Sequence, residues 1–249
     1  MHRIKFYLIG LLFFIGSTNI LAQEENKVRL SLTVNPNFTW LTPTNDGYTS
    51  EGSKMGISYG LLMDFRLFGD DNYSLSSGFT FSHLGGKISS PDVVNSDTGN
   101  IGARRFSNYS FTGIDVPMVI RLKTNEIGYN VFYGVFGSEL GFNINAKDKF
   151  TQTYNGNTTE EKTNDISSEV NLFRTSLVVG LGIERKISGN TSYRVGLTYH
   201  NGLTNIFKGK SYLADGNGNA QLDSSGNPIE DRDLSTKLKY LELNLSVVF

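Results

Sequence analysis

The chain contains no cysteine. That excludes a disulfide scaffold, a Cys-based zinc site and a lipid-modified N-terminal Cys. Neither sign of charge is in excess: 23 basic side chains stand against 24 acidic ones in 249 residues. The basic residues form no stripe, so no nucleic-acid partner is expected. Beyond the N-terminal segment no apolar run approaches the ~18 residues that a membrane-spanning helix needs. A G-x-S-x-G element, a dinucleotide loop and a phosphate loop are all missing.

What is present begins with an export signal. Arg3 and Lys5 precede an apolar run from Phe6 to Gly16, and Ala22 offers a small residue for cleavage before Gln23. Residues 1–22 are therefore expected to be a signal peptide, and 23–249 the mature domain.

The mature chain opens on "KVRLSLTVNPNFTWL" (27–41). Its even positions Val28, Leu30, Leu32, Val34, Pro36, Phe38 and Trp40 are apolar, while Lys27, Arg29, Ser31, Thr33, Asn35, Asn37 and Thr39 are polar. A period of two describes a strand with one apolar and one polar face. The alternation recurs in stretches centred on 55–67, 73–84, 112–123, 132–146, 173–185, 193–203 and 238–249. Eight amphipathic strands result. Their connections alternate in length. Long polar segments at about 42–53, 85–108, 147–168 and 204–235 alternate with tight turns at 69–72, 124–128 and 188–190, which hold the Gly, Asn and Asp that hairpins need. An all-β, eight-stranded antiparallel up-and-down transmembrane barrel fits this layout, with both termini at the short-turn, periplasmic end and long extracellular loops.

Periodicity alone does not say which face is wet, because a secreted lipocalin-like carrier is also an eight-stranded barrel. Three features favour the membrane. Phe65, Tyr73, Phe132, Tyr193 and Phe249 form a lower aromatic ring; Phe38, Trp40, Phe81, Phe142, Phe173 and Tyr199 form an upper one. Such rings match interfacial girdles. The polar faces carry Arg29, Arg66, Arg121, Arg174 and Arg194 against Asp64, Asp115, Glu139, Glu184 and Glu242. A narrow lumen favours Arg, whose planar fork satisfies carboxylates where water is scarce. Finally, the chain ends on Phe249, which resembles the terminal aromatic signal read by the barrel-assembly machinery. Strands of about thirteen residues, at ~3.3 Å each and tilted by ~40°, rise on the order of 33 Å, enough for the apolar band.

"GIDVPMVIRLKT" (113–124) and "NEIGYNVFYGVFGSELGF" (125–142) resemble the PorT-like outer-membrane β-barrel family. The resemblance implies an outer-membrane barrel of porin-like layout with a secretion-system or envelope protein as partner, and leans towards type IX secretion. The shared residues are structural and carry no catalytic role across. Pro117, which removes one ladder hydrogen bond, is expected to mark a bulge.

Little chemistry is expected. The interior of an eight-stranded barrel is just wide enough for side chains to fill, so the charges read as a polar plug and a narrow channel as the weaker alternative. A lipid-modifying barrel enzyme is also disfavoured. After cleavage only His83 and His200 remain, and Ser82 and His83, being adjacent on a strand, face opposite ways. "DGNGNAQLD" (215–223) has Asp and Asn spaced as in calcium loops. It carries Ala220 where that loop needs Gly, and Gly226 where it needs the closing Glu. No catalytic, cofactor or metal residue is expected. Function is expected to reside in the external segments, with lipid of the outer membrane around the wall.

Overall fold

A computed structural model describes residues 28–96 and 99–249. The proposed signal peptide, with its cleavage point, lies outside the described residues.

Among the described residues the strands are β1 (Val28–Pro43), β2 (Thr49–Gly52), β3 (Lys54–Leu67), β4 (Asp70–Ser96), β5 (Gly99–Lys123), β6 (Asn130–Tyr154), β7 (Asn157–Thr158), β8 (Lys162–Asp165), β9 (Phe173–Ser188), β10 (Thr191–Gly202), β11 (Lys210–Tyr212), β12 (Glu230–Asp233) and β13 (Thr236–Val248). Eight of them, β1, β3, β4, β5, β6, β9, β10 and β13, each pair antiparallel with the next. The ring closes where β1 meets β13, with Ser31 opposite Val248 and Pro43 opposite Thr236. Closure leaves no open edge within the wall, which hydrocarbon requires.

The tight turns sit where Gly and Asn place them. Between β3 and β4 the turn residues are Phe68 and Gly69, both with positive φ. Positive φ at both central positions is the hairpin geometry whose twist matches the strands. Phe68 is 92% exposed, so its side chain avoids the crowding that usually excludes bulky residues there.

Pro117 does not mark a bulge. Val116, Pro117 and Met118 stay in register with Leu140, Glu139 and Ser138, and the β5–β6 shift lies between Thr112 and Gly113. Against β4 the register also runs through, but the ladder pairs break off after Ser77–Met118 and resume at Thr80–Asp115. The missing N–H thus costs a local gap in the ladder, not an extra residue.

Two of the segments expected as long loops are largely sheet. Strands β4 and β5 stay paired from Tyr73–Leu122 to Ser96–Gly99, so 85–108 is mostly a hairpin that runs on beyond the apolar band. β6 continues to Tyr154, where β7 and β8 fold back on it. The segment 204–235 is a compact coil. Leu213, Gln221 and Ile229 bond to one another through their backbones, and Asp215 and Asp223 nucleate equivalent turns eight residues apart. Amides from Asn227 and Ser225 hold the Asp223 carboxyl below its ordinary pKa.

The outward face carries the apolar side chains. Leu30, Leu61, Phe79, Ile120, Phe136, Val179, Leu197 and Leu245 are all exposed on the wall. Trp40 stacks on Tyr199 at 6.1 Å and Phe142 meets Phe173 at 5.2 Å, on the ring opposite the short turns. Leu181, mid-strand on β9, is 70% exposed. Leu181→Arg is expected to cost about 2–4 kcal/mol at the bilayer midplane, whereas Ser224→Arg in the coil should be silent. Urea unfolding in lipid vesicles measures both; equal stabilities would place the apolar face away from lipid.

Candidate functional site

Strand parity directs the charged residues into the barrel interior, where they separate into two layers. Nearer the short turns, Arg194 on β10 bridges two carboxylates, Glu184 on β9 and Asp64 on β3, each at 2.8 Å. Arg121 on β5 meets the same Asp64 oxygen at 2.6 Å, and Ser76 donates to its other oxygen. Arg29 reaches Glu184 at 2.6 Å. The Arg121 and Arg194 guanidinium groups lie 5.1 and 5.6 Å from the Tyr133 ring. Beside this layer Tyr133, Val119, Val135 and Val178 form a small buried apolar cluster.

In the second layer Arg174 on β9 pairs with Asp115 on β5 and stands 3.8 Å from Glu139 on β6. Glu139 accepts the Tyr240 hydroxyl at 2.6 Å and lies 3.3 Å from His200 Nδ1. The His200 ring stacks on Tyr240 at 4.0 Å.

Ten charged residues were expected to form one network. The structure divides them. Arg29, Asp64, Arg121, Glu184 and Arg194 share the first layer, and Asp115, Glu139 and Arg174 the second. Glu242 is held by amides, accepting from Asn35 at 3.0 Å and Asn244 at 2.7 Å. Arg66 lies at the mouth and pairs with Asp71 of the adjacent turn at 2.5 Å. Lys123, at the end of β5, also reaches the first layer and stands 3.4 Å from Glu184. Tyr133 and Tyr240 were missed because aromatics were assigned to the outer wall, although their parity already placed them inside.

One constellation has the order of a hydrolase triad. Thr198 Oγ1 is 3.3 Å from His200 Nε2, whose other nitrogen faces Glu139. The Thr198 hydroxyl donates to Asn244 Oδ1 at 3.1 Å, and Thr198 and His200 are both buried. His83 is on the outer wall, 3.2 Å from Thr112, so the two histidines lie on opposite sides of the sheet.

Both ends of the interior differ from its middle. At the short-turn end a cavity of about 690 Å³ is lined by Arg29, Arg66, Lys123, Asp64, Asp71 and Glu184 among others. At the far end the inward positions turn apolar: Leu41, Leu84, Ile88, Phe111, Ala146, Leu238 and Tyr240 pack with Ile206 and Phe207 from the 204–235 segment. The Phe207 ring is tilted against Tyr109 at 4.8 Å and against Phe111 at 6.0 Å. This apolar cap was not expected from the sequence, where 85–108 and 204–235 read as solvated loops.

A family model described as "Outer membrane protein beta-barrel domain" matches residues 21–208. The chain belongs to that family. This outer-membrane barrel has no similar sequence among the curated proteins. Solved structures similar to it include Neisserial surface protein A (10% identity, TM-score 0.44, covering 91% of this chain and 98% of that one). OprG from Pseudomonas aeruginosa gives 8% identity and a TM-score of 0.44 over 91% and 97%. Ail of Yersinia pestis gives 14% and 0.34 over 90% and 99%.

The two-layer arrangement makes Arg194 the residue with most to lose, since two buried carboxylates depend on it. Arg194→Met is expected to destabilise the barrel by roughly 3–5 kcal/mol, with part of the loss returned by adding Glu184→Gln. Urea unfolding in micelles reads both. A loss under ~1 kcal/mol, the size expected of solvated pairs, would mean that water reaches this layer freely.

Proposed function

We propose that the chain is a non-enzymatic integral outer-membrane barrel with a plugged lumen, acting through the far end of its wall on an envelope or secretion partner. The observation that carries this reading is the filled interior. Two ion-paired layers, an apolar cluster between their strands and an apolar cap fill the interior above the cavity at the short-turn mouth. A side-chain-filled barrel of this size supports neither diffusion of solutes nor substrate access to the Thr198–His200–Glu139 constellation. The PorT-like resemblance supports a role in protein secretion or envelope assembly. The soluble carrier reading loses its support with the family membership and with the wall of exposed Leu, Phe and Val.

The topology we propose places both termini and the three tight turns in the periplasm and the β4–β6 extension outside the cell. Phe249, outward on the wall and joined through its backbone to Leu30 at 2.8 and 3.3 Å, is the residue we assign to recognition by the barrel-assembly machinery. Lipid contacts the wall.

Binding concentrates on segments that a rigid scaffold presents, and 213–229 meets the wall only on the β4–β5 extension, where the Ala220 N–H donates to the Ala103 carbonyl at 3.3 Å and Asn100 Nδ2 to the Gly226 carbonyl at 2.8 Å. Tyr212 and Glu230 already pair across β11 and β12, so an Asn-Gly turn in place of 213–229 joins them directly. The trimmed protein is expected to fold, to give no unitary conductance in planar bilayers, as for the full chain, and to fail to complement a deletion strain. Full complementation would move function away from this coil, and a steady open channel in the full chain would overturn the plugged lumen.

A further inference from the structure

Just beyond the upper aromatic ring, the outward face of β4, β5 and β6 turns basic. On the cap side of the bulge the inward residues are Leu84 and Ile88, Ser107 and Phe111, Ala146, Asp148 and Phe150. Their neighbours Gly85 and Lys87, Asn108 and Ser110, Lys147 and Lys149 therefore face outward. Register sets them side by side. Asn108 lies between Lys87 and Lys149, and Ser110 between Gly85 and Lys147.

A fourth lysine is strapped across this face. The stem of Lys54, from the start of β3, passes over Gly85, where an added Cβ would come within 2.6 Å of its Cδ. Its ammonium group donates to Ser110 Oγ at 2.6 Å, Asn108 Oδ1 at 3.2 Å and the Tyr109 carbonyl at 3.3 Å. All three acceptors are neutral, so the charge is held in place and not cancelled. The Lys87 ammonium group makes no hydrogen bond or ion pair among the described residues. Lys149 has an exposed contact with Glu161 at 3.7 Å, and Lys147 stands opposite Asp165. Exposed pairs of this kind are weak and readily exchanged. Four ammonium groups thus surround the Asn108–Ser110 pair, with two carboxylates at the margin.

Height decides what such a cluster meets. Phe81, Ile114 and Phe142 are aligned across the same three strands and belong to the aromatic ring. The Ser110 and Asn108 rows lie four and six residues further along, which is about 10 and 15 Å at ~3.3 Å per residue and a tilt of ~40°. Aromatic girdles sit at headgroup level, and lysine stems bend back towards it. The four charges therefore stand on the outer side of that layer, with their stems bending back within reach of headgroup phosphates.

We propose that Lys54, Lys87, Lys147 and Lys149 form a binding site for the phosphate groups of an outer-leaflet glycolipid. Lys54 supplies a fixed charge; Lys87, and Lys149 on exchanging its exposed contact with Glu161, supply donors on either side of it. The site rests on the proposed topology, which is tested separately. The chain lacks cysteine, so labelling a single Ser224→Cys variant on intact cells with a membrane-impermeant maleimide reports the side directly.

The binding test uses the purified full barrel in detergent and native mass spectrometry, with bis-phosphorylated lipid A as the probe. One lipid A is expected to remain bound, and Lys87→Gln with Lys149→Gln is expected to weaken retention at least tenfold, while heat-modifiable gel mobility stays unchanged. Lipid A stripped of both phosphates should be lost in the same way, and millimolar inorganic phosphate should not displace the intact lipid. Equal retention by the double variant, equal binding of the dephosphorylated form, or full displacement by free phosphate would each overturn the proposal. Binding in detergent together with unlabelled Ser224→Cys on intact cells would sink the topology and leave the site without its leaflet.

Discussion

Hydrocarbon offers a peptide N–H or C=O no partner, and the rest of the molecule follows from that constraint. The ring must close, so β1 and β13 meet although their residues are more than 190 apart in sequence. Closure tolerates few gaps. On that seam the pairs run from Val34–Leu245 to Asn37–Glu242 without those of Asn35 and Pro36. The Asn35 side chain repairs the break. Its Oδ1 accepts the Leu245 N–H at 3.3 Å while its Nδ2 donates to Glu242 at 3.0 Å. A residue that sequence patterning marks only as polar is thus a substitute for backbone.

Closure and parity together also set the interior. Each strand that shows Leu or Phe to lipid must turn its alternate residues inward, and in the spanning zone these are mostly polar, with the valine cluster of Val119, Val135 and Val178 as the exception. Arginine can satisfy several acceptors from one side chain, as Arg194 does with Asp64 and Glu184. Beyond the apolar band the surroundings of the same sheet invert. Outward Phe81, Ile114 and Phe142 give way to Lys87, Asn108 and Lys149, and inward Ser82 and Asp115 give way to Ile88, Phe111 and Ala146. The strands keep their period of two while the apolar side moves from the outer to the inner face. The apolar cap is the core of an ordinary water-soluble β structure built on top of a membrane protein.

That inversion explains what the sequence disclosed. Within the spanning zone the pattern was legible residue by residue: eight strands, the two aromatic rings, and the inward parity of Arg29, Asp64, Arg121, Glu184 and Arg194. Beyond it the alternation continues with opposite meaning. Stretches such as 85–108 then look like polar loop to a reading that expects apolar residues outside. The bulge between Thr112 and Gly113 compounds this by shifting β6 parity from Asn143 to Ala146. The separation of the charges into two layers was not legible, because parity gives the side of the wall and not the height. Lys123 and Arg66 show the same limit at the strand ends. There one neighbouring strand decides whether a side chain reaches Glu184 or a turn aspartate.

The seam between β1 and β13 has a consequence for how the barrel comes into being. The pairs β3–β4, β5–β6 and β9–β10 are joined by turns of a few residues and close cheaply, whereas Ser31 and Val248 must find each other across nearly the whole chain. Loop-closure entropy grows with that separation, and long-range pairings are the slow ones. The hairpins are therefore available early and the seam last, and until it forms β1 and β13 each present an unpaired edge. The edge held open longest is the one interrupted by Pro36, a residue that cannot donate to a foreign strand. The same proline that weakens the finished seam keeps the unfinished one from joining the wrong neighbour.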